Sequence, residues 1–290
     1  MNGLHSDSKD IIELLIYALP TISDRHSHTS EMYSLLDLVS KKEVANRFSD
    51  TSEYKKLFHP FGDIVFPYTK MGNIDSVDLF GLDELIIFSF YYKNRFNYHN
   101  VLDLGTNLGL HSFVMERCGF TVQSFEPDPW HFNLLERTIN NNGLTHVKPI
   151  NAAVSTKNGE QEFIRVLGNT TGSHLAGAKS NVYGEINKFK VRTVAFEELI
   201  GWADLIKIDV EGYEANIIKS TSLDNWASTD AIIEVGNENN AKLIFEYFEG
   251  SKINLFAQKL NWERVKEIGG MPTSYRDGSL FISINNHMRW

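Results

Sequence analysis

The passage Val101-Leu102-Asp103-Leu104-Gly105-Thr106-Asn107-Leu108-Gly109 runs from an apolar strand directly into a turn with two glycines. Residues 110–118 then follow with helical spacing, so strand, tight turn and helix form the opening of a βαβ unit. The same alternation continues outward. Residues 121–125 read as a second strand with a helix at 130–140, and residues 147–152 as a third strand, with Pro149 suiting an edge. Residues 205–208 and 231–235 read as the fourth and fifth strands, separated by a helix starting near Tyr213, and residues 262–268 with 280–284 as a terminal hairpin. Residues 161–166 and 189–194 read as an inserted strand pair, joined by the polar loop 168–184.

Upstream of the turn, Asp83 is placed to cap a helix through Leu85, Ile86, Ile87 and Tyr91 that ends near Arg95. Residues 61–80 read as short strands or an ordered approach loop. Before them come one helix stopped by Pro20 and another over residues 30–47, where Leu35, Leu36, Leu38 and Val39 cluster. The expected architecture is α/β: a Rossmann-like, doubly wound, mostly parallel seven-stranded sheet with an antiparallel terminal strand. A helical or irregular extension spans residues 1–75 and a catalytic domain spans 76–290, with an insertion at about 155–200.

At 290 residues and 42% hydrophobic content, the chain can bury one substantial core. A formal charge of -9 argues against capture of nucleic acid or of an anionic membrane surface. Cys118 is the only cysteine, so no intramolecular disulfide forms, and a reducing cytoplasmic setting is expected. Residues 11–19 are too short an apolar run to span a bilayer, contain Glu13 and follow the mixed-charge segment Asp7-Ser8-Lys9-Asp10, so a soluble protein with no membrane span is expected. The leucine-rich N-terminal helices suit either a homo-oligomer or packing back onto the catalytic domain.

Ligands of open α/β sheets bind beyond the carboxyl ends of the strands. Gly105 and Gly109 let the backbone approach such a ligand, and the helix amides after Gly109 suit an anion such as a methionine carboxylate. Glu126 ends the second strand, 21 residues beyond Gly105, where a carboxylate can accept hydrogen bonds from two ribose hydroxyls. Pro127 and Asp128 follow it. A methyltransferase and a nicotinamide oxidoreductase both place an acid there. Asn107, standing where the dinucleotide pattern has its second glycine, hinders a pyrophosphate and favours a phosphate-free nucleoside.

These segments, with Phe125-Glu126-Pro127-Asp128, Asn151-Ala152-Ala153-Val154 and Ile206-Lys207-Ile208-Asp209-Val210-Glu211-Gly212-Tyr213-Glu214, resemble the FkbM family of methyltransferases over about residues 80–285. The resemblance implies a class I methyltransferase sheet, S-adenosylmethionine as methyl donor, and O-methylation in natural-product or glycan biosynthesis. It places Asp103, Gly105, Thr106, Asn107 and Gly109 around the methionine end, Glu126 and Pro127 at the ribose, and Asn151, Ala152 and Ala153 at the adenine. His111, at the helix start, either contacts the cofactor or only packs. A catalytically silent binding protein on the same fold is a further alternative, against which the intact Asp103, Gly105 and Glu126 speak.

Methyl transfer to a hydroxyl needs alignment, exclusion of water and a base. Asp209, at the end of the fourth strand, is the first candidate, with a backbone-capping role as its structural counterpart. Glu211 is a second, Glu214 serving equally as helix-start electrostatics. His174 in the loop and Glu234 at the end of the fifth strand complete the set. Asp209, Glu211, Glu234 and Asn237 also outline an oxygen-ligand site for Mg2+, although a metal-free acid/base site is the preferred reading. Tyr68, Lys70, His174 and Arg276 are candidates for contacting a small hydroxylated acceptor such as a sugar or nucleotide-sugar, Arg276 suiting an acidic or phosphorylated group.

Overall fold

The computed structural model describes residues 10–49, 54–179 and 184–290. Residues 7–9 of the charged segment before the first helix, and residues 180–183 of the loop 168–184, lie outside the described residues. In chain order the elements are α1 (Ile11–Ala18), α2 (Glu31–Phe48), the two-stranded ribbon β1 (Lys56–Leu57) and β2 (Asp63–Ile64), and α3 (Leu82–Lys93). Then come β3 (Asn100–Leu104), α4 (Leu110–Arg117), β4 (Thr121–Phe125), α5 (Pro129–Asn142) and β5 (Val147–Ile150). The insertion carries β6 (Ala153–Ser155), β7 (Gly159–Val166), β8 (His174–Leu175) and β9 (Ile186–Ala195). The chain continues through α6 (Glu197–Ile200), β10 (Leu205–Ile208), α7 (Glu214–Lys219), β11 (Asp230–Glu234), α8 (Glu238–Phe248), β12 (Asn254–Ala257), β13 (Glu263–Arg264) and β14 (Ser279–Ser283).

The main sheet has the order β13-β12-β14-β11-β10-β3-β4-β5. Strands β11, β10, β3, β4 and β5 run parallel, and the central three, β11, β10 and β3, are the most apolar, as cover by helices on both faces demands. Pro149 sits in the edge strand β5, opposite Ser124, where its missing N–H costs no ladder bond on the open side. The chain moves from β3 outward to β4 and β5, then returns to β10 on the other side of β3. The order therefore switches between β3 and β10, and a cleft opens beyond their carboxyl ends.

Three expectations are corrected. The sheet has eight strands and is mixed, not seven-stranded with one antiparallel strand: β14 is antiparallel to both β11 and β12, and β13 is antiparallel to β12. Residues 262–268 and 280–284 form no hairpin, because β12 lies between β13 and β14. The run Asn254-Leu255-Phe256-Ala257 is short, but all four residues are buried, and their burial places this strand inside the sheet. Asp83 also does not cap α3. Gly81 holds the cap position, while the Asp83 carboxylate accepts from Gln258 Nε2 at 2.6 Å and meets His28 Nε2 at 3.0 Å.

Two apolar layers sandwich the sheet. One contains Phe88, Phe90, Val101 and Phe113, and α1 inserts Ile12, Ile16 and Leu19 into that same layer. The other packs Phe196, Trp226 and Phe248 against Leu102 and Leu104. Leu35 and Leu38 of α2 face outward. Among the described residues no helix is long and apolar enough to cross a membrane.

The insertion folds as a separate sheet of order β6-β9-β7-β8, with β7 and β9 paired antiparallel as the alternation predicts. It is fastened to the main body at Asp128. One carboxylate caps α5, accepting from Trp130 N at 2.8 Å, and accepts from Arg165 of β7 through Nε at 2.6 Å and through Nη2. Asp128→Ala removes the cap and strands a partly buried guanidinium, for an expected loss of about 3 kcal/mol. Urea unfolding of the two proteins measures this; an unchanged midpoint refutes the fastening role.

Candidate active site

The Gly105 turn is forced by contact as well as by φ. Gly105 has φ +80°, and a Cβ there would lie 1.8 Å from the carbonyl oxygen of Asp209 on the neighbouring strand end. Asn107 follows with φ 54°, a left-handed conformation that asparagine tolerates better than most residues. This conformation points its N–H at Glu126 Oε2, 2.8 Å away. Glu126 Oε1 accepts from Asp128 N at 2.9 Å, so the carboxylate is gripped at both oxygens. Each oxygen keeps a second lone pair. Burial pushes the Glu126 carboxyl up to about 8, against the pull of the two backbone donors. Asn107 Oδ1 is buried and has no hydrogen-bond partner among the described residues.

A cavity of about 270 Å³ opens on this turn. Gly105, Asn107, Glu126, Pro127 and Ala153 line one side. Val154, Phe163 and Leu175 supply an apolar slot where the insertion overhangs, and Ile74 and Leu79 of the approach segment also face the cavity. The approach segment is seated on the insertion: Gly72 bridges Asn169, and Thr170 N donates to Met71 O at 3.0 Å. Asp209, Glu211, Glu234 and His174 face the same cavity.

Several expected residues stand behind the lining rather than in it. Asp103 is fully buried and accepts from Ser112 Oγ at 2.7 Å, tying α4 to β3. Thr106 Oγ1 donates to Asp103 O, and Gly109 N–H is used on Thr106 O at 3.0 Å. His111 bridges Glu84 Oε2 at 2.7 Å and Tyr91 Oη at 3.1 Å, so both ring nitrogens are engaged. Asn151 braces the wall by donating to Glu126 O and Pro127 O, and Ala152 is buried in the layer beneath. Tyr68 donates to Asp75 Oδ2, and exposed Lys70 sits in a bridge to Asp75, so neither lines the cavity. Arg276 is exposed and lines a second cavity. Glu214 shapes the loop before α7, accepting from Gly212 N at 2.9 Å and from Asn240 Nδ2 at 2.6 Å. Asn237 caps α8.

His174 carries a usable lone pair. Its Nδ1 lies 2.9 Å from Gly172 O; a carbonyl only accepts, so Nδ1 bears the hydrogen and Nε2 is the free acceptor. Nε2 is buried without a partner among the described residues, and burial holds the ring below its ordinary value of 6.5 and hence neutral. Lys179 links this segment to the acids, its Nζ 2.5 Å from Glu211 Oε2 and 3.5 Å from Gly172 O. Burial, then the charge of Asp209, pushes Glu211 up to about 7. Glu234 is held well above the usual carboxylate range by burial and by Asp209 and Glu84, and no hydrogen bond reaches its carboxyl among the described residues.

Two members of this group escape sequence reasoning. Lys207 lies in β10 with its Nζ 3.1 Å from Asp209 Oδ2; burial pulls it down, but Asp209, Asp103, Glu84 and Glu234 outweigh that and keep it protonated. Glu84 lines the cavity from the first turn of α3. For Lys207 the signal is a lone charge in an apolar run, Ile206-Lys207-Ile208, whereas Glu84 follows Asp83 in the first turn of a helix, where acids are ordinary, and gives no such signal.

The Methyltransferase FkbM domain family matches residues 103–259. Among curated proteins, Hexuronic acid methyltransferase AglP of Haloferax volcanii is 23% identical over 172 residues, covering 58% of this chain and 68% of that protein. Among solved structures, a methyltransferase FkbM from Methylobacillus flagellatus KT aligns with TM-score 0.38 at 12% identity, covering 86% of this chain and 60% of that one. A SAM-dependent methyltransferase from Agrobacterium tumefaciens aligns with TM-score 0.40 at 9% identity, covering 79% and 68%.

The raised Glu126 carboxyl sets a pH dependence. Were Glu126 to receive two ribose hydroxyls, as the family resemblance implies, these and the two backbone N–H groups would together ask for four lone pairs, which only the ionised carboxylate offers. Affinity for 5′-methylthioadenosine, a nucleoside without a titrating amine, should therefore rise as pH climbs toward about 8 and level off above it. The slope below that point approaches tenfold per pH unit, roughly the limit for one linked proton. Calorimetric titration of the wild type and Glu126→Gln checks this: the variant binds more weakly with a flat profile, and parallel profiles would sink the assignment.

Proposed function

Because the chain belongs to the FkbM family of methyltransferases, we propose that the cavity at the Gly105 turn binds S-adenosylmethionine and that the enzyme methylates a hydroxyl of a carbohydrate-type acceptor. The observation that carries this reading is a single cavity with a gripped ribose-type carboxylate, Glu126, on one wall and a neutral imidazole with a free lone pair, His174, on the other. The residues fit the cofactor. Asn107 Oδ1 is an orphaned acceptor suited to an amine, Glu126 has lone pairs left for two hydroxyls, and Val154, Phe163 and Leu175 form a slot for a flat base.

When bound, S-adenosylmethionine supplies a methyl group activated by a sulfonium, so the protein's work is alignment, exclusion of water and removal of one proton. His174 Nε2 takes that proton from the acceptor hydroxyl. Asp209, fixed by Lys207, and Glu211, fixed by Lys179, border the acceptor's approach and orient it through hydrogen bonds. The acid-rich border also bears on O-methylation. The Asp209 carboxylate repels a carboxylate nucleophile, whereas a neutral hydroxyl arrives without that penalty and becomes reactive only as it meets the base. The name of the Haloferax relative, a hexuronic acid methyltransferase, supports a carbohydrate acceptor.

Titration with S-adenosylhomocysteine and with NAD separates the cofactor classes; the first should bind and the second should not. His174→Ala should lower kcat by about 10²- to 10⁴-fold, the usual worth of a positioned base, with the S-adenosylhomocysteine Kd unchanged. In the wild type kcat should fall as pH drops below 6.5 and the imidazole protonates, and the variant should lack that acid limb. Retention of the limb in the variant removes His174 from the role. The product should be an alkali-stable methyl ether; an alkali-labile ester would overturn the hydroxyl reading.

A further inference from the structure

We propose that the second cavity, between α2 and the Tyr275–Asp277 turn, is the acceptor site and takes an uncharged polyhydroxylated ring, a neutral sugar or glycoside rather than a uronate or sugar phosphate. This rests on the methyltransferase reading of the first cavity. The second cavity encloses about 470 Å³ and shares Asp78, Glu84 and Glu234 with the first, so the two spaces meet at a neck. Glu234 ends β11 at that neck. Lys207 lines the second cavity while its Nζ pairs with Asp209, which lines the first. A ring held in the second space can extend one hydroxyl through the neck toward the methyl donor.

The outer wall comes from the N-terminal extension: His28, Tyr33, Asp37 and Lys41 all line it. This wall is firmly seated. His28 meets Asp83 at 3.0 Å, His26 Nδ1 accepts from Trp262 Nε1 at 2.9 Å, and Ser27 N donates to Asn261 Oδ1 at 2.7 Å. Tyr275 and Arg276 line the cavity from the C-terminal side, with the Tyr275 ring 2.9 Å from where a Cβ on Gly236 would lie.

The charges of the lining favour a neutral guest. Lys41 is paired with Asp37 at 2.7 Å, Lys207 with Asp209 and His28 with Asp83. Arg276 is then the one lining cation without an ion pair among the described residues, at the exposed rim. Against it stands Asp78, which has no cationic partner within bridging distance among the described residues, while Glu234, kept protonated by its burial, meets a hydroxyl as a neutral hydrogen-bonding carboxyl. Hydroxyl groups donate strongly to such a carboxylate as Asp78, while an anionic substituent would be repelled.

The full-length protein, loaded with S-adenosylhomocysteine, should be probed by saturation-transfer NMR with the methyl glycosides of glucose, galactose and mannose, with methyl glucuronide and with glucose 1-phosphate. At least one neutral glycoside should bind, with the two anionic probes weaker by about tenfold or more. Asp37→Asn and Tyr33→Phe, which keeps the ring stacked on His28, should each weaken that glycoside by about tenfold, the scale of a lost hydrogen bond to a charged group. Neither should move the S-adenosylhomocysteine Kd or the Tm, which a merely structural role for α2 would disturb. If S-adenosylhomocysteine binds but no neutral glycoside does, if an anionic probe binds better, or if both α2 variants bind like the wild type, the acceptor assignment alone is overturned. Failure of S-adenosylhomocysteine to bind overturns the cofactor reading and this inference together.

Discussion

Gly105 passes so close to the end of β10 that any side chain there would strike the Asp209 carbonyl. This contact locks two strand ends that are far apart in sequence into one rim. On one side it directs the chain through Asn107 to the carboxylate of Glu126; on the other it fixes the backbone from which Asp209, Glu211 and their cationic partners project. Loosening it would uncouple the nucleoside end of the cavity from the acidic end. The adjoining parts reinforce the rim from beneath: Asp103 and Ser112 tie β3 to α4, and Glu214 with Asn240 ties the loop after β10 to α8.

The parallel half of the sheet was legible because its central strands β3, β10 and β11 are covered on both faces and spell mainly apolar runs of recognisable length, while β4 and β5 follow from the alternation of strand and helix around them. The other half was not. β12 is four residues long and β13 two, and β12 is held in the sheet by a strand more than twenty residues further along, information that no local pattern contains. The insertion's strand pair could be read from alternation, whereas its attachment could not: Asp128 looks like an ordinary helix cap until Arg165 arrives from β7.

Within the site, motif residues proved to fall into two kinds. Gly105, Asn107, Glu126, Asp209 and Glu211 face the cavity, while Asp103, Thr106, Gly109, His111 and Asn151 hold those residues in place. A motif records both without distinguishing them, because a side chain that braces a cavity wall is as constrained as one that lines it. His111 illustrates this: its helix-start position suits a ligand contact, yet Glu84 and Tyr91 take both of its nitrogens. The reverse holds for Lys207 and Glu84, whose importance lies in the charges around them, contributed by β3, β10, β11 and α3 together.

Strand β14 follows every other strand in the chain yet pairs between β11 and β12, in the interior of the sheet. During synthesis from the N-terminus, β11 must therefore wait with an open hydrogen-bonding edge while α8, β12 and β13 emerge. The sheet closes last at its middle, not at its rim. The parallel half bearing the Gly105 turn can assemble first, and final consolidation awaits a segment made late, which gives this fold a defined interval of exposure to chaperones and to strand exchange between nascent chains.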